Sequence, residues 1–134
     1  MRLTRRYRFC ASHRLDVASL SAEENRRLFG KCNNPYGHGH DYVLDISVEG
    51  TPDAWGQIVR RDAIDQLVGE RILHRIDHRN LNMDVPELAA RVPTTENLAL
   101  AIREMLERDW PFEARLAGVR VAETDRNIFE LETR

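Results

Sequence analysis

The chain reads as an α+β domain: a four-stranded antiparallel sheet with two helices packed on one face. Three observations predict it: apolar and polar residues alternate with period two at both ends of the chain, two amphipathic helical stretches fill the middle, and the final strand pair is joined by a short turn. The 134 residues suffice for one domain, 1–134, that buries about two-thirds of its unfolded surface without a disulfide or structural metal.

The first strand places Leu3, Tyr7, Phe9, Ala11 and His13 on one face and Arg2, Thr4, Arg6 and Arg8 on the other. In the second, Tyr42, Leu44, Ile46 and Val48 alternate with Asp41, Asp45, Ser47 and Glu49. Between them, Ser21 caps a short helix from Ala22 to Leu28, with Glu23 and Glu24 in its first turn and Gly30 ending it. A turn over Thr51–Gly56 leads to a helix from Arg61 to Leu73, with Ile64, Leu67, Val68 and Ile72 on one face and His74 as a C-terminal helix charge. The second long helix runs from a Thr94 cap to Arg108, turns Leu98, Ala101, Ile102, Met105 and Leu106 inward, and stops at Trp110-Pro111. Strands over 116–124 and 128–132 close the chain around Asp125-Arg126-Asn127. The charged outer face and open edges of such a sheet favour assembly of several copies.

The segment Cys32-Asn33-Asn34-Pro35-Tyr36-Gly37-His38-Gly39-His40 concentrates chemistry. His38 and His40 share the parity of the apolar set, so both rings leave one face of the second strand, roughly 7 Å apart at Cα. Antiparallel pairing with the first strand brings His13 beside them. Three neutral imidazoles with an open fourth position suit a catalytic rather than a structural zinc, and two cysteines are too few for a cysteine-rich structural site. Asp77-His78 offers a carboxylate and an imidazole for proton relay. Glu123 ends the apolar face made by Val119 and Val121 and needs a buried partner. That partner is either an arginine or a flat heterocycle with adjacent N–H donors, since a carboxylate accepts two such bonds side by side.

A net charge of −2 announces no nucleic-acid partner, and the basic opening RLTRRYR is expected to pair across strands with Asp45 and Glu49. No apolar run approaches membrane-spanning length, no amino-terminal signal pattern is present, and two cysteines suit a reducing compartment, so a cytoplasmic protein is expected.

The stretches FCASH, LSAEENRRLFGKCNNPYGHGHDY, IDHRNLNMDVPE, PTTENLA and VAETDRN, in that order over nearly the whole chain, resemble the 6-pyruvoyl tetrahydropterin synthase family. The resemblance implies the tunnelling fold and one zinc (Zn2+) per subunit on His13, His38 and His40. It implies a catalytic Cys32 assisted by Asp77 and His78, a pterin anchored by Glu123, and Thr94, Thr95 and Glu96 near the ring pocket. It also implies a homohexamer of two trimers, in which the sheets of three subunits close into a barrel and active sites lie at subunit boundaries. The substrate it implies is a small pterin triphosphate, 7,8-dihydroneopterin triphosphate, with magnesium (Mg2+) accompanying the triphosphate. Members resembling 6-carboxytetrahydropterin synthase usually have three residues between the cysteine and the HGH. Here five separate Cys32 from His38, which favours the pyruvoyl-forming branch. The carboxy-forming branch and a non-catalytic zinc- and pterin-binding module are the alternatives. The family tends to have Asn or Asp at Arg60, Lys at Asp65, Pro at Arg75 and Asn at Asp41, which bears on subunit contacts and the pocket rim. Lys31, the only lysine, and His78 in the assembled site are expected to lower the pKa of Cys32.

Overall fold

In the computed structural model, which describes residues 1–133, strand β1 (Arg2–His13) pairs antiparallel with β2 (His38–Glu49), from Arg2 opposite Glu49 to His13 opposite His38. β2 pairs antiparallel with β4 (Arg115–Ala122), and β4 with β5 (Ile128–Glu132). A further strand corrects the expected four-stranded antiparallel sheet to a mixed sheet of five. Arg79–Asn80 (β3) runs parallel to Ala11 and Ser12 on the other edge of β1, giving the order β3-β1-β2-β4-β5. Two residues display no periodicity, so nothing local announces this strand. It forms because the returning chain lies along β1, where the Leu81 amide donates to the Ser12 carbonyl at 2.8 Å.

Helix α1 (Ala22–Phe29) begins as expected at Ser21, whose hydroxyl accepts from the Glu24 amide while the Glu24 carboxylate accepts from the Ser21 amide. The expected helix from Arg61 to Leu73 is instead α2 (Arg61–Val68), a π turn over Gly69–Leu73, and α3 (His74–Ile76). The reason lies in the spacing of Ile64, Val68, Ile72 and Ile76, all fully buried. At 3.6 residues per turn, three steps of four drift by about 120° around a regular helix, and one wide turn absorbs most of that drift. His74 stays exposed in the last turn. Helix α4 (Thr95–Glu107) is capped by Thr94, whose hydroxyl accepts from the Asn97 amide.

The core lies between the helices and the inner sheet face, where Phe9, Tyr42, Leu44, Ile46, Val119 and Val121 meet Ile64, Ile72, Leu98, Ile102 and Leu106. The outer face is ionic, and the expected cross-strand pairing is present: Asp45 accepts from Arg6 at 2.8 and 3.0 Å and from Arg120 at 3.2 Å, and Arg2 lies 3.5 Å from Glu49. Arg6, by hydrogen bonds first, holds the Asp45 carboxyl below the usual carboxylate range. Arg5 points the other way and grips Asp65 of α2 at 3.0 and 2.6 Å, a carboxylate that also accepts from the Tyr7 hydroxyl at 2.7 Å. Asp65 is therefore satisfied within the chain, as is Arg60, which pairs with Asp62 at 2.7 Å. No helix among the described residues is long and apolar enough to cross a membrane.

Candidate active site

Strand register assembles the centre. His13 faces His38, Ala11 faces His40, and the next inward positions on β1 and β2, Phe9 and Tyr42, face each other. Small side chains let the strands close there: Gly37 has φ +78°, and a Cβ on it would run into the His13 carbonyl. On the far side of β2, Val43 pairs with Ala122, so Glu123 follows directly at the end of β4. Cys32 arrives from a 3-10 turn over Gly30–Asn33, tied to the chain beyond β1 by the Leu15 amide, which donates to the Cys32 carbonyl at 2.7 Å. Beside it, the buried carboxamide of Asn33 donates to the Leu15 carbonyl at 2.7 Å and to Asp16 at 3.0 Å.

The donor atoms converge. His13 Nε2 lies 3.2 Å from His40 Nε2, and His38 Nδ1 lies 3.5 Å from the same atom. Cys32 Sγ is 3.6 Å from His40 Nε2, and Glu123 Oε1 is 3.1 Å from His40 and 3.6 Å from His13. The ligand atoms of His13, Cys32, His40 and Glu123 all fall within 4.8 Å of one another, and His38 joins through His40. A tetrahedral ion such as zinc, with bonds of about 2.0–2.1 Å to nitrogen, sets its ligand atoms about 3.3 Å apart, so the His13–His40 and His38–His40 spacings fit such an ion. His13 Nδ1 lies 2.8 Å from the Pro93 carbonyl; a carbonyl only accepts, so Nδ1 carries the proton and Nε2 offers its lone pair inward. Burial lowers the pKa of His13 and His40, favouring the neutral form that binds metal.

Within this chain Lys31 does not bring the Cys32 pKa down: burial pushes the thiol up and the negative charge of Glu123 adds to it. Nor does Glu123 meet an arginine; among the described residues its side chain pairs with His13 and His40.

Asp77 and His78 stand apart from this cluster. Both are pinned to the edge of β1 opposite β2, just before β3: Asp77 Oδ1 accepts from the Cys10 amide at 2.9 Å, and the His78 amide donates to the Cys10 carbonyl at 2.6 Å. His78 adopts φ +59°, and its side chain is 79% exposed beside a cavity of about 560 Å3 lined in part by Cys10, Ser12, Asp41 and Asn80. Of the remaining candidates, Thr94 uses its hydroxyl as the cap, Thr95 is buried with its hydroxyl unpaired, and Glu96 is exposed in the first turn of α4. Pattern reading missed Asn33, the Pro93 carbonyl and Tyr42, whose buried hydroxyl has no partner among the described residues. An asparagine directly after the cysteine and a tyrosine two residues beyond the last histidine were the available signals.

A family model described as 6-pyruvoyl tetrahydropterin synthase matches residues 2–134. The chain is 46% identical over 127 residues to the human 6-pyruvoyl tetrahydrobiopterin synthase, covering 94% of this chain and 87% of that one. It is 40% identical over 130 residues to the Dictyostelium discoideum protein of the same name, covering 94% and 91%. The solved structure of Caenorhabditis elegans 6-pyruvoyl tetrahydropterin synthase superposes with a TM-score of 0.91 at 35% identity, covering 100% of this chain and 96% of that one.

Proposed function

Since the chain belongs to the 6-pyruvoyl tetrahydropterin synthase family, and is an enzyme of that lyase class, we propose that it converts 7,8-dihydroneopterin triphosphate to 6-pyruvoyl tetrahydropterin with elimination of triphosphate. The observation that carries this reading is the convergence of His13, His38 and His40 with Cys32 and Glu123 at one end of the inner sheet face.

His13, His38 and His40 would hold zinc. When bound, zinc supplies Lewis acidity that makes the substrate's side-chain hydroxyls more acidic and the adjacent C–H bonds easier to deprotonate. Glu123 accepts the paired N–H donors of the pterin edge, which fixes the ring. Thr95 offers its unpaired hydroxyl to the same ligand, and Thr94 and Glu96 frame the start of α4. Cys32 moves the protons: it takes hydrogen from the substrate side chain and returns it to the ring, so that the side chain is oxidised as the ring is reduced and triphosphate leaves with its bond electrons. No nicotinamide or flavin enters this balance. Magnesium accompanies the triphosphate.

Asp77 and His78 serve the thiol of a neighbouring copy. Their place at the outer edge of β1, away from their own Cys32, supports active sites shared between subunits of a hexamer built from two trimers, with three sheets closing each barrel. A cationic His78 arriving from a neighbour would offset the burial that raises the Cys32 pKa.

The test is one product assay by mass on purified protein, run with metal analysis. Pyruvoyl product with zinc near one per chain is expected. Acetaldehyde release would move the assignment to the carboxytetrahydropterin branch, and binding without turnover would leave a non-catalytic pterin module.

A further inference from the structure

Strand β1 carries chemistry on two sides. Its inner face ends in His13, and its edge opposite β2 pins Asp77 and His78. The main-chain ladder along that edge ends where Leu81 donates to Ser12. One step on, a side chain takes over. Asn82 Oδ1 accepts from the Arg14 amide at 2.7 Å, and its Nδ2 donates to the Arg14 carbonyl at 2.8 Å. A carboxamide presents a donor and an acceptor as a peptide group does, so Asn82 acts as one more residue of β3. The turn that carries it is itself braced: the Asn82 amide donates to Asn80 Oδ1 at 2.9 Å, and the Asn80 amide donates to Asp84 at 2.9 Å.

We propose that Asn82 is a positioning residue for the metal cradle: by closing the edge of β1 at Arg14, it fixes the main chain of the adjacent His13. The proposal rests on the assignment of His13 as a ligand. On the β2 side, the close approach of Gly37 already holds the His13 carbonyl. On the open side, this carboxamide alone among the described residues meets the Arg14 main chain, and an unpaired strand end frays. Asn82 is exposed, so water competes for its hydrogen bonds and the global stability they add is small. A metal ligand is less forgiving, because affinity depends on every donor being held in place before the ion arrives. Asp77 and His78 are fastened separately, to the Cys10 main chain on the same edge.

The experiment compares Asn82→Ala and Asn82→Asp with the parent by chelator competition for zinc, the electronic spectrum of the Co2+-loaded protein, and the thermal midpoint of the metal-stripped protein, where zinc linkage does not enter. In Asn82→Ala, zinc affinity should fall about tenfold and the Co2+ spectrum should change, while the midpoint barely moves. Asn82→Asp keeps the acceptor for the Arg14 amide and should recover most of the affinity. Parental affinity and spectrum in Asn82→Ala overturn the proposal, as does a lowered midpoint with parental affinity. Should Asn82→Ala fail to fold, Asn82→Ser, whose short hydroxyl cannot reach both Arg14 groups, takes its place: weaker binding than the parent supports the proposal and equal binding overturns it. His13→Ala is measured alongside. If it retains full zinc, the ligand assignment has failed, independently of Asn82.

Discussion

Cys32 starts from an unfavourable position for a base, since burial and the carboxylate of Glu123 both favour its protonated form. Its contribution should nonetheless be separable from metal binding, because the three imidazoles come from β1 and β2 and the thiol from the preceding turn. Cys32→Ala should keep fold and zinc while lowering turnover about a hundredfold or more, the usual size of a general acid/base contribution; turnover within a few-fold of the parent would make Cys32 structural. Replacing His38 or His40 with Ala should lower zinc content and activity together, as checked by metal analysis of each variant. Glu123→Gln presents an amide donor to a ring N–H and leaves both unsatisfied, a mismatch of about 1–3 kcal/mol. Substrate binding measured by titration should weaken about tenfold or more at unchanged zinc content. Parity made the imidazoles and Glu123 legible, because it fixes which face a side chain leaves. It could not show that Glu123 faces His40 rather than an arginine, which depends on how far β4 runs beside β2.

Among the elements, the outer sheet face allows a pH prediction. Hydrogen bonds from Arg6, followed by the charges of Arg6 and Arg120, depress the Asp45 pKa in the folded state below its unfolded value. The stabilisation is fully present above an unfolded value of about 3.9 and is lost as pH falls through the folded value. Asp45→Asn should therefore lower stability by about 1 kcal/mol at neutral pH, screening at the exposed Arg6 included. The gap to the parent should close in acid below the ordinary carboxylate range, as measured by denaturant titration across pH. A constant gap would mean that packing rather than charge made the difference. Helices α1 and α4, the start of α2 and four of the strands were legible from periodicity and caps, whereas the π turn that divides the expected helix over 61–73 was not. β3 was not, because its pairing is a property of where the chain returns, not of Arg79 and Asn80 themselves.

At the scale of the whole molecule, the proposed catalytic groups of one chain point to different places, the thiol inward and the Asp77–His78 pair along an outer edge. If neighbours complete one another, co-assembled Cys32→Ala and His78→Ala chains should regain activity that neither has alone. Where an intact thiol meets an intact imidazole, a site is whole. Mixed assemblies as inactive as the separate variants would show that each chain uses its own pair. No pattern within one sequence displays this division, because it concerns surfaces that a single chain leaves open.

The π turn bears on how the length of this chain can vary. A wide turn of this kind accommodates one residue more than a regular helix needs. Deleting Gly69 should let α2 run on as an ordinary helix, with the buried positions spaced four, three and four apart instead of four throughout. The deletion also removes a glycine that costs a helix interior about 1 kcal/mol. The shortened protein should express in soluble form with a thermal midpoint at or above the parent's. Deleting Leu100 from α4, which has no such slack, should abolish folding by rotating Ala101, Ile102, Met105 and Leu106 away from the sheet.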